Sequence, residues 1–234
     1  TAKVLKLSNS SFYGRSKEVQ SLEEAVLILG FFNVRSIVVA TAAHSLYGGK
    51  GEDNNESKLW RHSLLSAVAA RQVARHVRHP AMEELFIAAL LHDIGKLVLM
   101  QKVGSRYKEI IERVEAGDGS FVDLEAECLK FNHCDVAEIL LDAWSFPPSL
   151  TDIISGHHEL PELEEGQQAS SIHIIDLSNQ IAKLAGVGFA DQLSQEIHET
   201  KTAQAMSLDA GTLDLLTQEI MEYYQAEINI LEGA

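Results

Sequence analysis

Two adjacent residues with metal-binding side chains, His92 and Asp93, lie in the most apolar stretch of the chain, residues 85–99. A buried carboxylate is costly without a partner, so Asp93 needs either an ion pair or a bound metal ion. Other residues of ligand type are spread along the chain: His62, His133, His157, His158 and Asp176. If these side chains converge on His92 and Asp93, the protein holds one or two metal ions.

The charges of such a site favour phosphoester chemistry. Two divalent ions carry four positive charges, of which Asp93 and Asp176 neutralise two, and a hydroxide and a phosphate oxygen suit the remainder. Lys96, four residues after His92, can hold a further phosphate oxygen as a point charge. The candidate catalytic residues are therefore Asp93 and Lys96. Mixed histidine and carboxylate ligation favours iron or manganese, with zinc or magnesium as alternatives.

Composition limits the classes of partner. The chain has 234 residues, of which 46% are apolar, and 19 Lys and Arg residues against 34 Asp and Glu residues give a net charge of −15. This charge opposes binding to nucleic acid, which depends on Lys and Arg contacts to phosphate. It also opposes binding to anionic membrane surfaces. We expect the partner to be a signalling protein or a phosphoester ligand, and composition leaves the oligomeric state open.

The cysteine pattern and the hydropathy indicate a cytoplasmic protein. Cys128 and Cys134 form no C-x-x-C motif, so we expect two reduced thiols rather than a disulfide framework or a zinc knuckle. No apolar segment reaches the 18 or more residues of a membrane span. The sequence starts at Thr1 without an initiator Met or a signal-type segment, so we expect a fragment that lacks an upstream part.

Helical patterns dominate the chain and predict an all-α fold. A capping box at Ser21 begins the first predicted helix, which stops at Gly30. A second begins at an N-cap Ser57 and continues to residue 78. Residues 36–41 resemble a strand but have no partner strand, so we predict a helix there. The remaining predicted helices cover residues 82–100, 105–116, 121–130, 133–144, 149–158, 170–185 and 209–230.

The predicted helix over residues 82–100 is apolar on nearly all sides, which is typical of a buried central helix. It would carry His92, Asp93 and Lys96 into a cleft. Gly95 costs this helix about 1 kcal/mol relative to alanine, so we expect it to permit a close approach by another helix or a ligand.

The ligand candidates also predict the domain organisation. They extend from residue 62 to residue 176, so a boundary between them is unfavourable. We predict a helical N-terminal part over residues 1–50, a metal-site core over residues 57–186, and a C-terminal helical extension over residues 187–234 that packs on the same unit.

The ordered pattern of ligand types resembles a known superfamily. His62, His92-Asp93 and Asp176 resemble the motif of the HD superfamily of metal-dependent phosphohydrolases, an all-α, multi-helix bundle. With His133 and His157-His158 added, the set is similar to the HD-GYP branch, whose members hydrolyse cyclic di-GMP at a di- or trinuclear metal site. The resemblance implies that these residues are metal ligands and that Lys96 contacts phosphate.

The greatest overall resemblance is to the HDOD family and covers residues 1 to about 185. The similar segments are residues 4–14, 21–30, 59–63, 89–96 and 144–147, followed by His157-His158. Two features depart from the HD-GYP pattern: residues 159–166 lack its Gly-Tyr-Pro loop, and Lys58 occupies a position where that pattern has a glutamate ligand. Both weigh against hydrolysis of cyclic di-GMP. HDOD proteins are usually regarded as signal-transduction modules.

Three functional hypotheses follow. The first is an HDOD regulatory domain that retains a metal site, with weak or no hydrolase activity. The second is an active phosphodiesterase that acts on a cyclic dinucleotide or another phosphoester. The third is a metal-free scaffold for protein interactions.

Overall fold

The computed structural model describes residues 5, 19–47, 54–163, 169–189 and 196–232. These residues form α-helices and no strand, which confirms the all-α prediction. The helices are α1 (Leu22–Leu29), α2 (Phe31–Leu46), α3 (Asn55–His76), α4 (Met82–Leu91), α5 (Ile94–Val103), α6 (Ser105–Glu115), α7 (Phe121–Leu129), α8 (His133–Ala143), α9 (Pro148–Ser155), α10 (Ser171–Leu184), α11 (Lys201–Ala205) and α12 (Ala210–Glu232), with a 3₁₀ turn at Ile197–Glu199.

The capping residues of the first helices follow the sequence in part. Ser21 caps α1 as predicted, because its hydroxyl accepts a hydrogen bond from the Glu24 amide at 3.1 Å. Helix α3 begins earlier than predicted: Asn54, not Ser57, is its N-cap, and its side-chain oxygen accepts from the Ser57 amide at 2.8 Å. Residues 36–41 lie within α2, in agreement with the helical prediction.

The central helix predicted over residues 82–100 is wrong, because the chain breaks into α4 and α5 at His92 and Asp93. The His92 ring donates from Nδ1 to the Ala89 carbonyl at 2.7 Å. The backbone then leaves helical geometry at Asp93, with φ −101° and ψ 12°. Asp93 thereby becomes the N-cap of α5, and its carbonyl accepts from the Lys96 amide at 2.9 Å. The break places the two candidate ligands between two helix ends.

Helix α3 lies at the centre of the fold and packs against α4, α10 and α12. The main hydrophobic core contains residues from all three of the predicted segments, among them Ala40, Leu64 and Leu216. The division into segments stays a prediction. A second, smaller core joins α6 to α7 through Tyr107, Phe121 and their neighbours. Within the described ranges, no helix is both long enough and apolar enough to cross a membrane.

Candidate metal centre

The carboxylate of Asp93 lies at the centre of the predicted site, and 1% of the residue is exposed. Its Oδ2 atom lies 2.9 Å from Lys96 Nζ, 3.3 Å from His92 Nε2 and 3.8 Å from His62 Nε2. His62 comes from α3, so this half of the site joins the central helix to the break between α4 and α5.

The other oxygen of Asp93 faces a second set of rings. Oδ1 lies 3.4 Å from His133 Nε2 and 3.9 Å from His157 Nε2. His158 Nε2 lies 3.2 Å from His133 Nε2 and extends this set toward solvent, since His158 is exposed. Helix α9 ends at Ser155, so His157 and His158 lie in the turn after it and not at the end of the longer predicted helix. The Asp93 carboxylate therefore bridges two groups of histidines.

Backbone carbonyls orient three of these rings. Nδ1 of His62 lies 3.2 Å from the Val187 carbonyl oxygen. Nδ1 of His157 lies 2.7 Å from the Ile154 carbonyl oxygen, and Nδ1 of His92 lies at the same distance from that of Ala89. A carbonyl only accepts, so each Nδ1 carries the proton when the ring is neutral. The Nε2 lone pairs then point toward Asp93, which is the tautomer that a metal-ligating histidine adopts.

His133 is oriented by a carboxylate that the sequence analysis missed. Glu125 Oε2 accepts from both Nδ1 and the backbone amide of His133 at 2.7 Å, and the Tyr107 hydroxyl donates to Oε1 of the same carboxylate. Glu125 is 0% exposed. The available signal was its position in α7, where it shares the buried face with Phe121 and Leu124. Because a buried charge is costly without a partner, a charged residue on an apolar helix face predicts a hydrogen-bond or ion-pair partner in the core.

The donor set fits a divalent transition metal. His92 Nε2, Asp93 Oδ1 and His157 Nε2 are buried and have no hydrogen-bond partner. Buried polar atoms are nearly always paired, so two unpaired ring nitrogens and one unpaired carboxylate oxygen are suited to hold a cation. One group that could hold an ion is His62, His92 and Asp93, and another is His133, Cys134, His157 and His158. Imidazole nitrogen and carboxylate oxygen are the ligands that iron, manganese and zinc accept.

The protonation states also suit metal binding. Burial raises the pKa of Asp93, but a protonated His92 and the Lys96 ammonium outweigh burial and hold that pKa well below its usual value, so the carboxylate is ionised. When His92 is neutral, Lys96 supplies the positive charge beside the carboxylate. Burial lowers the pKa of His62 to about 3 and that of His157 well below its usual value. Both rings are therefore neutral at neutral pH, as metal ligation requires.

Two sequence-predicted residues have other contacts in this structure. Asp176, in α10, belongs to neither group of candidate ligands. Its Oδ2 accepts from Gln180 at 2.6 Å, and burial raises its pKa to about 6. Lys96 pairs with Asp93, and its Nζ lies 4.2 Å from the centre of the Phe121 ring. Metal ligation by Asp176 and phosphate binding by Lys96 both stay predictions.

Cys134 is a further candidate ligand that the sequence analysis did not select. It is buried, both cysteines are free, and burial raises the pKa of the Cys134 thiol to about 12. Its Sγ lies 3.7 Å from His157 Nδ1. Its position directly after His133 was the signal available in the sequence.

A comparison with known families identifies the family of this chain. The model of the HDOD domain matches residues 1–160, which is well over half of the chain. The chain belongs to the HDOD family. The predicted resemblance to the HDOD family is thereby confirmed, and the match covers residues 1–160 of the predicted range of 1 to about 185. No curated protein gave a significant match to this HDOD chain.

Solved structures share the fold at low sequence identity. An HDOD domain protein from Geobacter sulfurreducens has a TM-score of 0.82 and 23% identity, over 98% of this chain and 81% of that one. A candidate phosphohydrolase from Shewanella amazonensis has a TM-score of 0.68 and 22% identity, over 99% and 81%. A candidate signal transduction protein from Marinobacter aquaeolei has a TM-score of 0.73 and 20% identity, over 98% and 51%.

Proposed function

We propose that this HDOD chain is a signal-transduction domain that binds one or two divalent metal ions around Asp93. The observation that carries the proposal is the Asp93 carboxylate, whose two oxygens face two groups of histidines. The unpaired Nε2 atoms of His92 and His157 support it, because a cation would satisfy both. The name of the Marinobacter relative supports the signalling role.

The residues divide between the two candidate positions. His62, His92 and Asp93 would hold one ion. His133, His157 and His158 would hold a second, and Asp93 would bridge the two. Iron or manganese suits these ligands best, with zinc or magnesium as alternatives. Asp176 remains a candidate ligand on the strength of its place in the superfamily motif. The partner would be a signalling protein or a phosphoester ligand.

Metal analysis of protein purified without chelator tests this proposal. We expect one or two metal ions per chain, and a large loss of metal in Asp93→Asn, which keeps the side-chain volume but removes the bridging charge. Asp142→Asn, at an exposed position in α8, is the matched control and should retain wild-type metal content. Wild-type content well below one ion per chain, even after incubation with Mn²⁺ or Fe²⁺, would reject the metal site and favour a metal-free interaction scaffold.

The position of Lys96 favours a second candidate function, hydrolysis of a cyclic dinucleotide or another phosphoester. Its ammonium lies beside the candidate metal donors, and 7% of the residue is exposed. A divalent ion at this site would polarise a phosphoryl oxygen and lower the pKa of water. Lys96 would bind and orient a phosphate oxygen, and Asp93 would balance the positive charge around it. A solved relative named as a candidate phosphohydrolase supports this function.

Turnover of a cyclic dinucleotide or of a generic phosphodiester by metal-loaded protein tests the second function. Lys96→Ala should lower turnover and leave the metal content unchanged. Lys102→Ala, at an exposed position in the same helix, should behave as wild type. A fully metal-loaded wild-type protein without turnover would reject hydrolysis and leave the regulatory function.

A further inference from the structure

The metal site contains a thiol that the proposed function does not use. Cys134 is the second residue of α8, directly follows His133 and is 8% exposed. One donor atom from each of His133, Cys134, His157 and His158 lies within 4.8 Å of the other three. The group therefore offers three nitrogens and one sulfur to a single ion.

The capping of α8 fixes this thiol in place. Asn132 Oδ1 accepts from the Cys134 amide at 2.7 Å, and Asp135 Oδ2 accepts from the Asn132 amide at 2.7 Å. This capping box defines the first turn of the helix. Consecutive helical side chains diverge by about 100°, so His133 faces Asp93 while Cys134 faces His157.

We propose that Cys134 is a thiolate ligand of the second metal position, together with His133, His157 and His158. The inference rests on the proposed metal-binding function and specifies the metal that one half of the site selects. The half formed by His62, His92 and Asp93 offers only nitrogen and oxygen. Soft thiolate ligands select zinc and other thiophilic ions over magnesium and manganese. The two positions therefore differ in their metal preference.

The spacing of the donor atoms is close to the spacing of ligand atoms around one zinc ion. With zinc–nitrogen bonds of about 2.0–2.1 Å and zinc–sulfur bonds of about 2.3 Å, ligand atoms lie roughly 3.3–3.6 Å apart. The Nε2 atoms of His133 and His158 are 3.2 Å apart, close to this range. Cys134 Sγ lies 3.7 Å from His157 Nδ1, which bonds to the Ile154 carbonyl, so the thiol packs against the ring whose other nitrogen is the proposed ligand. No two of the four donor atoms are more than 4.8 Å apart.

An independent observation indicates a ligand at this position. His157 is 1% exposed, its Nδ1 bonds to the Ile154 carbonyl, and its Nε2 has no partner. Without a bound ion this nitrogen stays unpaired, so a ligand is expected on the side of the ring that Nε2 faces. An ion bound by His157 Nε2 and by the Cys134 sulfur would give this nitrogen a partner.

Cobalt substitution of the full chain tests the inference by absorption spectroscopy. A thiolate bound to Co²⁺ gives a charge-transfer band in the near ultraviolet, whereas nitrogen and oxygen ligands leave only weak visible bands. We expect the charge-transfer band in wild type and in Cys128→Ser, and its loss in Cys134→Ser. Cys128 is the matched control, since it is the other free cysteine and lies half-buried beside Arg113. Zn²⁺ affinity should fall at least about tenfold in Cys134→Ser only.

The outcomes separate this inference from the function on which it rests. Bound cobalt without a charge-transfer band in wild type would overturn thiolate ligation and leave the metal site intact. A band that survives in Cys134→Ser, or that disappears in Cys128→Ser, would also overturn it. A wild-type chain that binds neither Co²⁺ nor Zn²⁺ would reject the proposed function itself. If Cys134→Ser fails to fold, the absence of the band in cobalt-loaded wild type would still overturn the inference. Cys134→Ala would then replace Cys134→Ser as the variant expected to lose the band.

Discussion

A side chain at Gly95 would collide with the backbone of His133, because its Cβ would lie 1.9 Å from the His133 carbonyl oxygen. Gly95 is in the first turn of α5, and His133 is the first residue of α8. The two helices therefore touch where only a hydrogen atom fits. This contact accounts for the glycine within an apolar helix, and the predicted close approach at Gly95 is confirmed. It also brings the ring of His133 within 3.4 Å of Asp93.

Gly95→Ala should destabilise the protein strongly, because the obstructing atom belongs to the backbone and cannot rotate away. Overpacking of this kind costs typically about 1–3 kcal/mol, and the separation of α5 from α8 should also weaken metal binding. Urea unfolding and metal titration measure the two effects. Gly211→Ala in α12 is the control, since its Cβ would meet no atom closer than 3.8 Å. Equal stability of the two variants would contradict the close contact.

Glu125→Gln should weaken metal binding at His133 while the fold is retained. The change removes the charge that accepts from Nδ1 and from the amide of His133. Loss of such a partner to a metal-ligating histidine typically lowers metal affinity by about 10–100-fold. Isothermal titration with Mn²⁺ or Zn²⁺ measures the change. Glu127→Gln, two residues away in an exposed pair with Arg113, should bind metal as wild type does. If both variants bind metal with the same affinity, Glu125 does not contribute to metal binding.

The metal-free protein should lose stability as the pH falls below about 6.5. His62 has a pKa of about 3 in the folded chain and an ordinary value of 6.5, so only the unfolded chain takes up its proton between these values. The free energy of unfolding then falls by up to about 1.4 kcal/mol per pH unit for each such histidine. Asp93 contributes in the same direction, but only as the pH falls below its ordinary value of 3.8.

Urea unfolding of chelator-treated protein between pH 7.5 and pH 5 measures this slope. His62→Gln should flatten the pH dependence, because it removes one of the proton-binding groups that favour the unfolded chain. His76→Gln, at an exposed position in the same helix, should keep the wild-type slope. If both variants keep that slope, His62 does not carry the pH dependence.

Asp176→Asn should raise the stability of the metal-free protein at pH 8. The folded-state pKa of Asp176 is raised to about 6, so folding favours its protonated form and the ionised form is unfavourable above that pH. The amide removes this charge, and a gain of about 1 kcal/mol would raise Tm by roughly 2–4 °C. Thermal unfolding at pH 8 measures the gain, and the difference from wild type should shrink at pH 5.

Metal affinity of Asp176→Asn provides a separate readout. We expect a loss of about tenfold or more if Asp176 joins the ligand set, as its place in the superfamily motif predicts. Unchanged affinity would show that the half-buried carboxylate of Asp176 has no role in metal binding.

The sequence predicted the helical class and most of the side chains that meet at the site. Asp176 lies outside both groups of candidate ligands, and Glu125 and Cys134 were not predicted. His92 and Asp93 could be selected because charged or polar residues in an apolar segment need partners. The structure brings His62, His133 and His157 within 4 Å of the Asp93 carboxylate. Their roles as ligands stay predictions.

The local backbone of the site could not be predicted from the same pattern. An apolar run with helical spacing does not show that a ring nitrogen of His92 bonds to the Ala89 carbonyl, where the helix ends. Asn54 and Ser57 are both good capping residues, so composition alone does not choose between them. Glu125 orients a histidine on another helix, and that contact depends on tertiary packing.

The Glu125 carboxylate has a consequence for how the domain can respond to its surroundings. It accepts from His133 and from Tyr107, and Tyr107 belongs to the core that joins α6 to α7. Under the proposed metal binding, the cation affinity at His133 and the stability of the pair of helices α6 and α7 would therefore be linked. Such coupling is reciprocal: a partner that stabilises α6 and α7 and raises the cation affinity by some factor has its own affinity raised by the same factor when the cation binds. The affinity of a partner that binds α6 and α7 would then depend on the metal content of the domain, although the partner makes no contact with the metal.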